Sequence, residues 1–245
     1  MGLLTNLPLY LVPTVIANDG LISPISVLSS KGISISLPGR MPDKVFIDFS
    51  ILRTAPIKFI RAAALDILSN ISATNDWKIS TPSSLAQNEN MAFRLARMAA
   101  DMLLDCNDWS YYSPVFNRVV LDAQILSGFA MCYAGSSRPC SGSEHLLGHA
   151  INQSYRKPTY LHGEIVGITS RFCLYLQDYY DPRVENFFNF HQVDREIPML
   201  KSASNDEFHA ILKVARTVRP GRNTILDRYT DMQLIEKYNV YSRNF

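Results

Sequence analysis

A chain of 245 residues with 47% hydrophobic and 11% aromatic side chains can build one sizeable core, or a large domain with a small appendage, and is too apolar to be disordered. Its 24 Lys+Arg against 22 Asp+Glu leave a net charge of +2, which excludes nucleic-acid binding driven by bulk electrostatics. Eleven glycines and thirteen prolines exclude a collagenous or linker-dominated chain.

The opening MGLLTNLPLYLVPTVIAND is apolar, but it lacks a basic segment and is broken by Pro8 and Pro13, so it reads poorly as a signal peptide. No run reaches about 18 uninterrupted apolar residues, so no membrane span is expected and the expected location is the cytoplasm. Cys106, Cys132, Cys140 and Cys173 contain no CxxC pair and read as free buried thiols of a reducing compartment.

Residues 9–13 form a short apolar run, and GISISL (32–37) alternates with the period of a strand. KVFIDF (44–49) is a further predicted strand, entered through Pro38, Gly39, Pro42 and Asp43. From Pro56 helical periodicity takes over: IKFIRAAALDILSNI places Phe59, Ala63, Ile67 and Ile71 along one side. Thr81-Pro82 reads as the cap and first position of the next helix, which carries Met91, Leu95, Met98, Met102 and Leu103 on an apolar side. Further helices are predicted over 117–133, 141–152, 159–177 and 204–217, and from 224 to about 238. The expected fold class is mostly α, with residues 1–50 a short α/β piece and residues 51–245 an all-helical domain. Neither GxGxxG nor GxxxxGK followed by Ser or Thr occurs, so the chain has no recognisable phosphate-cradling loop of its own.

The histidines carry the strongest chemical signal. Of five, His145, His149 and His162 fall within eighteen residues. His145 and His149 are one helical turn apart and project on one side, and His162 opens the following helix. Imidazoles suit zinc or iron when an oxygen ligand joins them. Asp66, between Leu65 and Ile67 in an apolar helix, is the candidate oxygen ligand, because a buried carboxylate needs a cation or donors. The alternatives are that Asp66 pairs with Arg61 or faces solvent, and that the histidines are ordinary core or surface residues. The pattern is not HExxH.

Seven segments in order carry a resemblance: VPTVIANDGLISPISVL (12–28), KVFIDFSILRTAP (44–56), RAAALDILSN (61–70), DW (76–77), AGSSRPCSGSEHLLGHAI (134–151), LHGEIVGI (161–168) and RPGRNTIL (219–226). Through them the chain resembles the glycerol-1-phosphate dehydrogenase branch of the iron-containing alcohol dehydrogenase, glycerol dehydrogenase and 3-dehydroquinate synthase superfamily. The resemblance implies a helical domain binding one divalent metal, zinc or iron, through Asp66, His145 and His162. It implies that His149 lies near substrate, that Asp19 faces the nicotinamide and substrate, and that Thr14 contacts the dinucleotide. The implied activity is NAD(P)-dependent oxidation of a small polyol or polyol phosphate, with the metal polarising the hydroxyl oxygen.

Two departures qualify what is implied. Family members carry, ahead of the VPT segment, a Rossmann-like domain with a GGG-containing pyrophosphate turn, whereas this chain starts almost at VPT. Residues 1–50 are therefore expected to be the last part of such a domain, in a truncated or split enzyme. A separate chain supplying the nucleotide-binding domain, or a homo-oligomer, is the expected partner. The alternative is a non-catalytic scaffold or binding protein that retains the helical fold and metal site. The second departure is Asn70, where this branch usually has lysine, and asparagine offers no charge to a phosphate.

Overall fold

The N-terminal segment is tied together by short ladders. In a computed structural model, which describes residues 7–17, 19–30, 33–81, 87–154, 160–198, 200 and 202–244, β1 (Tyr10–Leu11) pairs in parallel with β4 (Lys44–Val45). The Asp43 carboxylate extends this pairing by accepting from the Leu9 N–H at 2.7 Å. Between them β2 (Ile25–Ser30) and β3 (Ile33–Pro38) form an antiparallel pair, with Ile25 opposite Pro38 and Ser30 opposite Ile33. Only the second of these two strands is predicted from sequence alternation. The predicted strand at 44–49 stops after Val45, because Asp48 caps a helical turn, α1 (Phe49–Leu52), through its bond from the Ser50 N–H.

Pro56 then precedes α2 (Ile57–Ser80), 24 residues long and buried on almost every side from Ala62 to Trp77. A helix apolar all round has to be surrounded by others, so the single stripe Phe59, Ala63, Ile67 and Ile71 understates it. Helix α6 (His162–Leu176) packs along one side, and α3 (Gln87–Leu104) and α4 (Pro114–Ala134) along others. Thr81 closes α2, its N–H and hydroxyl both donating to the Trp77 carbonyl. Pro82 lies outside the described residues.

The methionine side of α3 is also corrected. Its buried side chains are Ala92, Ala96, Ala99, Ala100, Leu103 and Leu104, while Met91 and Met98 are about half exposed, at 47% and 50%. Small alanines let α3 lie close to α2 and α4, which pushes the bulky methionines outward. Helix α4 starts at Pro114 behind the Ser113 cap and ends at Gly135, which is left-handed (φ 60°).

Helix α5 (Ser143–Ser154) packs on α6 and on α9 (Asn205–Val218). Two further helices, α7 (Pro182–Phe190) and α8 (Val193–Glu196), were not anticipated. The last predicted helix is two pieces: a 3-10 turn, Ile225–Arg228, and α10 (Asp231–Asn244). The fold is mostly α, as the sequence led us to expect. Phe172, Phe208, Tyr238 and Tyr241 interlock between α6, α9 and α10, with Phe208 stacked on Tyr238 at 4.0 Å. Burial of each such ring stabilises the fold by roughly 1.5–3 kcal/mol.

Among the described residues, α4 alone has the length and hydropathy of a membrane span, and half of it is buried within the protein as a core helix. None of the four cysteines is in a disulfide: Cys140 and Cys173 are buried, whereas Cys106 and Cys132 are only partly covered.

Candidate metal centre

Three helices meet where the chemistry lies. Asp66 sits midway along α2, His145 in the first turn of α5, and His162 at the first position of α6. The helices approach closely because Gly163 has no side chain. A Cβ there would lie 2.2 Å from the Ala62 carbonyl oxygen and 3.2 Å from Asp66 Cβ. One turn on, a Cβ at Gly167 would meet Leu65 Cβ at 2.6 Å. Close contact of α2 with α6 is what brings position 66 beside position 162.

One ligand atom each of Asp66, His145 and His162 lies within 4.8 Å of the others. His145 Nε2 is 3.6 Å from Asp66 Oδ1, too far for a hydrogen bond. Two ligands each at roughly 2.0–2.1 Å from a tetrahedral ion are separated by about 3.4 Å, so this spacing fits a shared cation. Arg61 does not take Asp66. It pairs with Glu164 at 2.5 Å and with Glu196 at 3.5 Å. The alternative in which Arg61 neutralises Asp66 is thereby set aside.

The imidazoles are kept neutral. Burial, followed by the Arg219 and Arg222 charges, pushes His145 down to about 3. Burial and then His145 hold His162 at about 3 as well. His149 is pushed down to about 2 by burial and by the two neighbouring imidazoles. A neutral imidazole offers a lone pair, which is the form that binds a metal. The donor set of one carboxylate and two neutral imidazoles therefore fits zinc or iron.

His149 is beside this group. Its ring stacks on His162 at 5.3 Å and lies 6.3 Å from His145 between centroids. Thr14 is exposed. The backbone of Asp19 begins a 3-10 turn, Asp19–Ile22, that packs on α4, and its side chain lies outside the described residues. Asn70 is turned away into the packing of α3 and α4, where its amide donates to Ser127 Oγ (2.8 Å) and the Ala96 carbonyl (3.3 Å). Its side chain serves helix packing. Cys140 packs with Ala96, Ala130 and Met131, a core position.

Two carboxylates at the site escaped the sequence reading. Glu164 joins Arg61 to the start of α6, accepting from the Leu161 N–H at 2.8 Å. Glu144 lies 3.0 Å from His145 Nδ1. The signal was in the sequence, since each glutamate falls in the first turn of a helix beside a ligand histidine, where carboxylates complement the helix dipole.

A helical body thus gathers a carboxylate and two neutral imidazoles from three helices into a donor set that could hold one metal ion. No protein-family model matches the chain. Over 223 residues, 90% of its length, it is 33% identical to the glycerol-1-phosphate dehydrogenase, NAD(P)+, of Thermoplasma acidophilum, covering 62% of that protein. Its fold matches a solved structure described as a probable glycerol dehydrogenase from Sinorhizobium meliloti (TM-score 0.76, 19% identity, 100% of this chain, 73% of that one). It also matches an iron-containing alcohol dehydrogenase from Corynebacterium glutamicum (TM-score 0.63, 13% identity, 98% of this chain, 68% of that one). The chain is thus similar over nine tenths of its length to glycerol-1-phosphate dehydrogenases and shares its fold with glycerol and iron-containing alcohol dehydrogenases. It spans a little under two thirds of the length of the curated relatives it matches.

Proposed function

We propose that this chain is the metal-bearing part of an NAD(P)-linked dehydrogenase acting on a small polyol or polyol phosphate, of the glycerol-1-phosphate dehydrogenase kind. The observation that carries the reading is the convergence of Asp66, His145 and His162 within 4.8 Å, with both imidazoles neutral. In this reading residues 51–245 are the metal-binding domain and residues 1–50 belong with a nucleotide-binding domain. That domain comes from the same polypeptide, a separate chain or a second copy. The setting is a soluble, cytoplasmic enzyme.

Asp66, His145 and His162 would hold zinc or iron, which when bound polarises a substrate hydroxyl and eases its deprotonation. The chain's own groups do the rest. His149, held neutral beside His162, lies where it can hydrogen-bond a substrate hydroxyl. Thr14 and Asp19 would face the nicotinamide end of the cofactor. Asp66 and His145 are buried, which strengthens electrostatics at their ligand atoms, while His162 is only partly covered.

The test has two arms. Elemental analysis of the purified chain should find about one zinc or iron, and His162→Ala should lose most of it while circular dichroism remains helical. Stoichiometric metal in His162→Ala would refute the ligand set. NAD(P)-linked oxidation of glycerol-1-phosphate and glycerol is then measured with the chain alone and with a relative's nucleotide-binding domain added. Turnover in neither case would remove the dehydrogenase reading.

A further inference from the structure

The Glu144 side chain is completely enclosed, and its carboxylate is held at both oxygens. Oε1 accepts from the Gly142 N–H at 2.5 Å and lies 3.0 Å from His145 Nδ1. Oε2 accepts from Ser72 Oγ on α2 at 2.6 Å. The Glu144 backbone carbonyl accepts from Thr169 Oγ1 on α6 at 2.8 Å. Adjacent residues on a helix do not ordinarily face one another. Here the contact with His145 arises because Glu144 is in the first turn of α5, and its carboxylate folds back to the free amide that precedes the helix.

This geometry constrains the neighbouring imidazole. An acceptor oxygen beside Nδ1 favours the tautomer with the proton on Nδ1, which leaves the lone pair on Nε2. Nε2 is the nitrogen 3.6 Å from Asp66 Oδ1. Glu144 is itself fixed from three directions: α2 through Ser72, the approach to α5 through Gly142, and α6 through Thr169. The helices that bring Asp66 and His162 to the site thus also fix the group that orients His145.

We propose that Glu144 is the positioning residue of the metal centre, holding His145 in its Nδ1–H form with Nε2 turned to the site shared with Asp66 and His162. The inference rests on the metal reading above, and adds to it a residue outside the ligand set. A glutamate that merely capped α5 would leave the tautomer and the metal affinity independent of it. Loss of such an orienting partner typically weakens metal binding about 10–100-fold.

The test uses the whole chain, stripped of metal, with zinc as the probe. Long-range proton–nitrogen NMR of the wild-type protein, with the His145 signals assigned by their loss in His145→Gln, should show the Nδ1–H form. The Nε2–H form overturns the proposal without any Glu144 variant having to fold. Competition for zinc against a chromophoric chelator should then show Glu144→Ala weakened about 10–100-fold. Glu144→Gln, which keeps an acceptor oxygen beside Nδ1, should recover most of that loss. Ser72→Ala, which removes the bond to Oε2 but leaves the Nδ1 contact, should weaken zinc binding by less than Glu144→Ala does. Wild-type affinity in Glu144→Ala refutes the role of Glu144 alone. Failure of the wild-type chain to take up zinc refutes the metal reading, and this inference with it.

Discussion

Residues 7–48 and the helical body that follows are built on opposite terms. In the first region the strands are short, and Leu7, Tyr10, Val12, Leu37 and Phe46 are exposed, with Ile16 reaching the core. In the second, α2 is buried on nearly all sides and the ligand-bearing helices cross it tightly. Asp66, His145 and His162 all belong to the body, so the donor set depends on helix packing and not on the strands. The N-terminal segment is fastened to that body chiefly where the 3-10 turn at 19–22 lies on α4. The two regions should therefore fail separately.

The most damaging single change should be Gly163→Ala. The added methyl would sit 2.2 Å from a backbone oxygen of α2, which cannot move aside as a flexible side chain could. Helices α2 and α6 must part, separating Asp66 from His162. The expected loss is on the order of 3 kcal/mol, at the upper end for overpacking. Urea unfolding should show it as a lower midpoint, with zinc content falling in parallel. An unchanged midpoint with full zinc content would mean that the helices do not cross there as described.

Gly128→Ala applies the same logic to the other region. A Cβ on α4 at this position would lie 2.0 Å from the Ile22 carbonyl oxygen. Here the obstacle is a short turn instead of a long helix, so the turn can lift away. We expect a smaller loss, about 1–2 kcal/mol, faster amide exchange in residues 19–22, and undiminished zinc binding. Zinc loss comparable to that in Gly163→Ala would show that the two regions are not independent.

This contrast also explains what could be read from the sequence. The long helices were legible because apolar side chains recur along them, and the histidines stood out because so few exist. The extent of α2 was not legible, since a helix buried all round has no polar face to mark its limits. The β2–β3 pair was half missed, although Lys31-Gly32 separates two β-rich runs by two residues, a spacing that signals a hairpin. Helix α7 was hidden in DPRVENFFNF, where Asp181 caps and Pro182 begins the helix. The ligand candidates came from residue type and a family resemblance. Glu144, Glu164 and Gly163 did not, because their roles depend on helices meeting, and crossing geometry leaves no periodic mark.

An effect confined to acid pH concerns a histidine in the body that lies outside the ligand set. His191 is stacked on Tyr111 at 4.1 Å and against Phe187 at 4.4 Å, and its Nε2 has no hydrogen-bond partner among the described residues. Burial, with the Arg61 charge second, pushes it down to about 4 from 6.5. As pH falls from 6.5 the unfolded chain binds this proton first, so stability is lost progressively down to about 4 and no further below it. Above 6.5 the group is neutral in both states and contributes no slope. Replacing it with phenylalanine removes the titration while keeping an aromatic ring among Tyr111, Phe187 and Phe190. Unfolding free energies of metal-free wild type and His191→Phe, measured from pH 4 to 8, should run parallel above 6.5 and lose that constant separation below it, with wild type falling faster. The other histidines are common to both proteins and cancel in the difference. Parallel curves throughout would mean that the aromatic cluster does not hold His191 neutral, and that the pH response of the body arises at the metal centre instead.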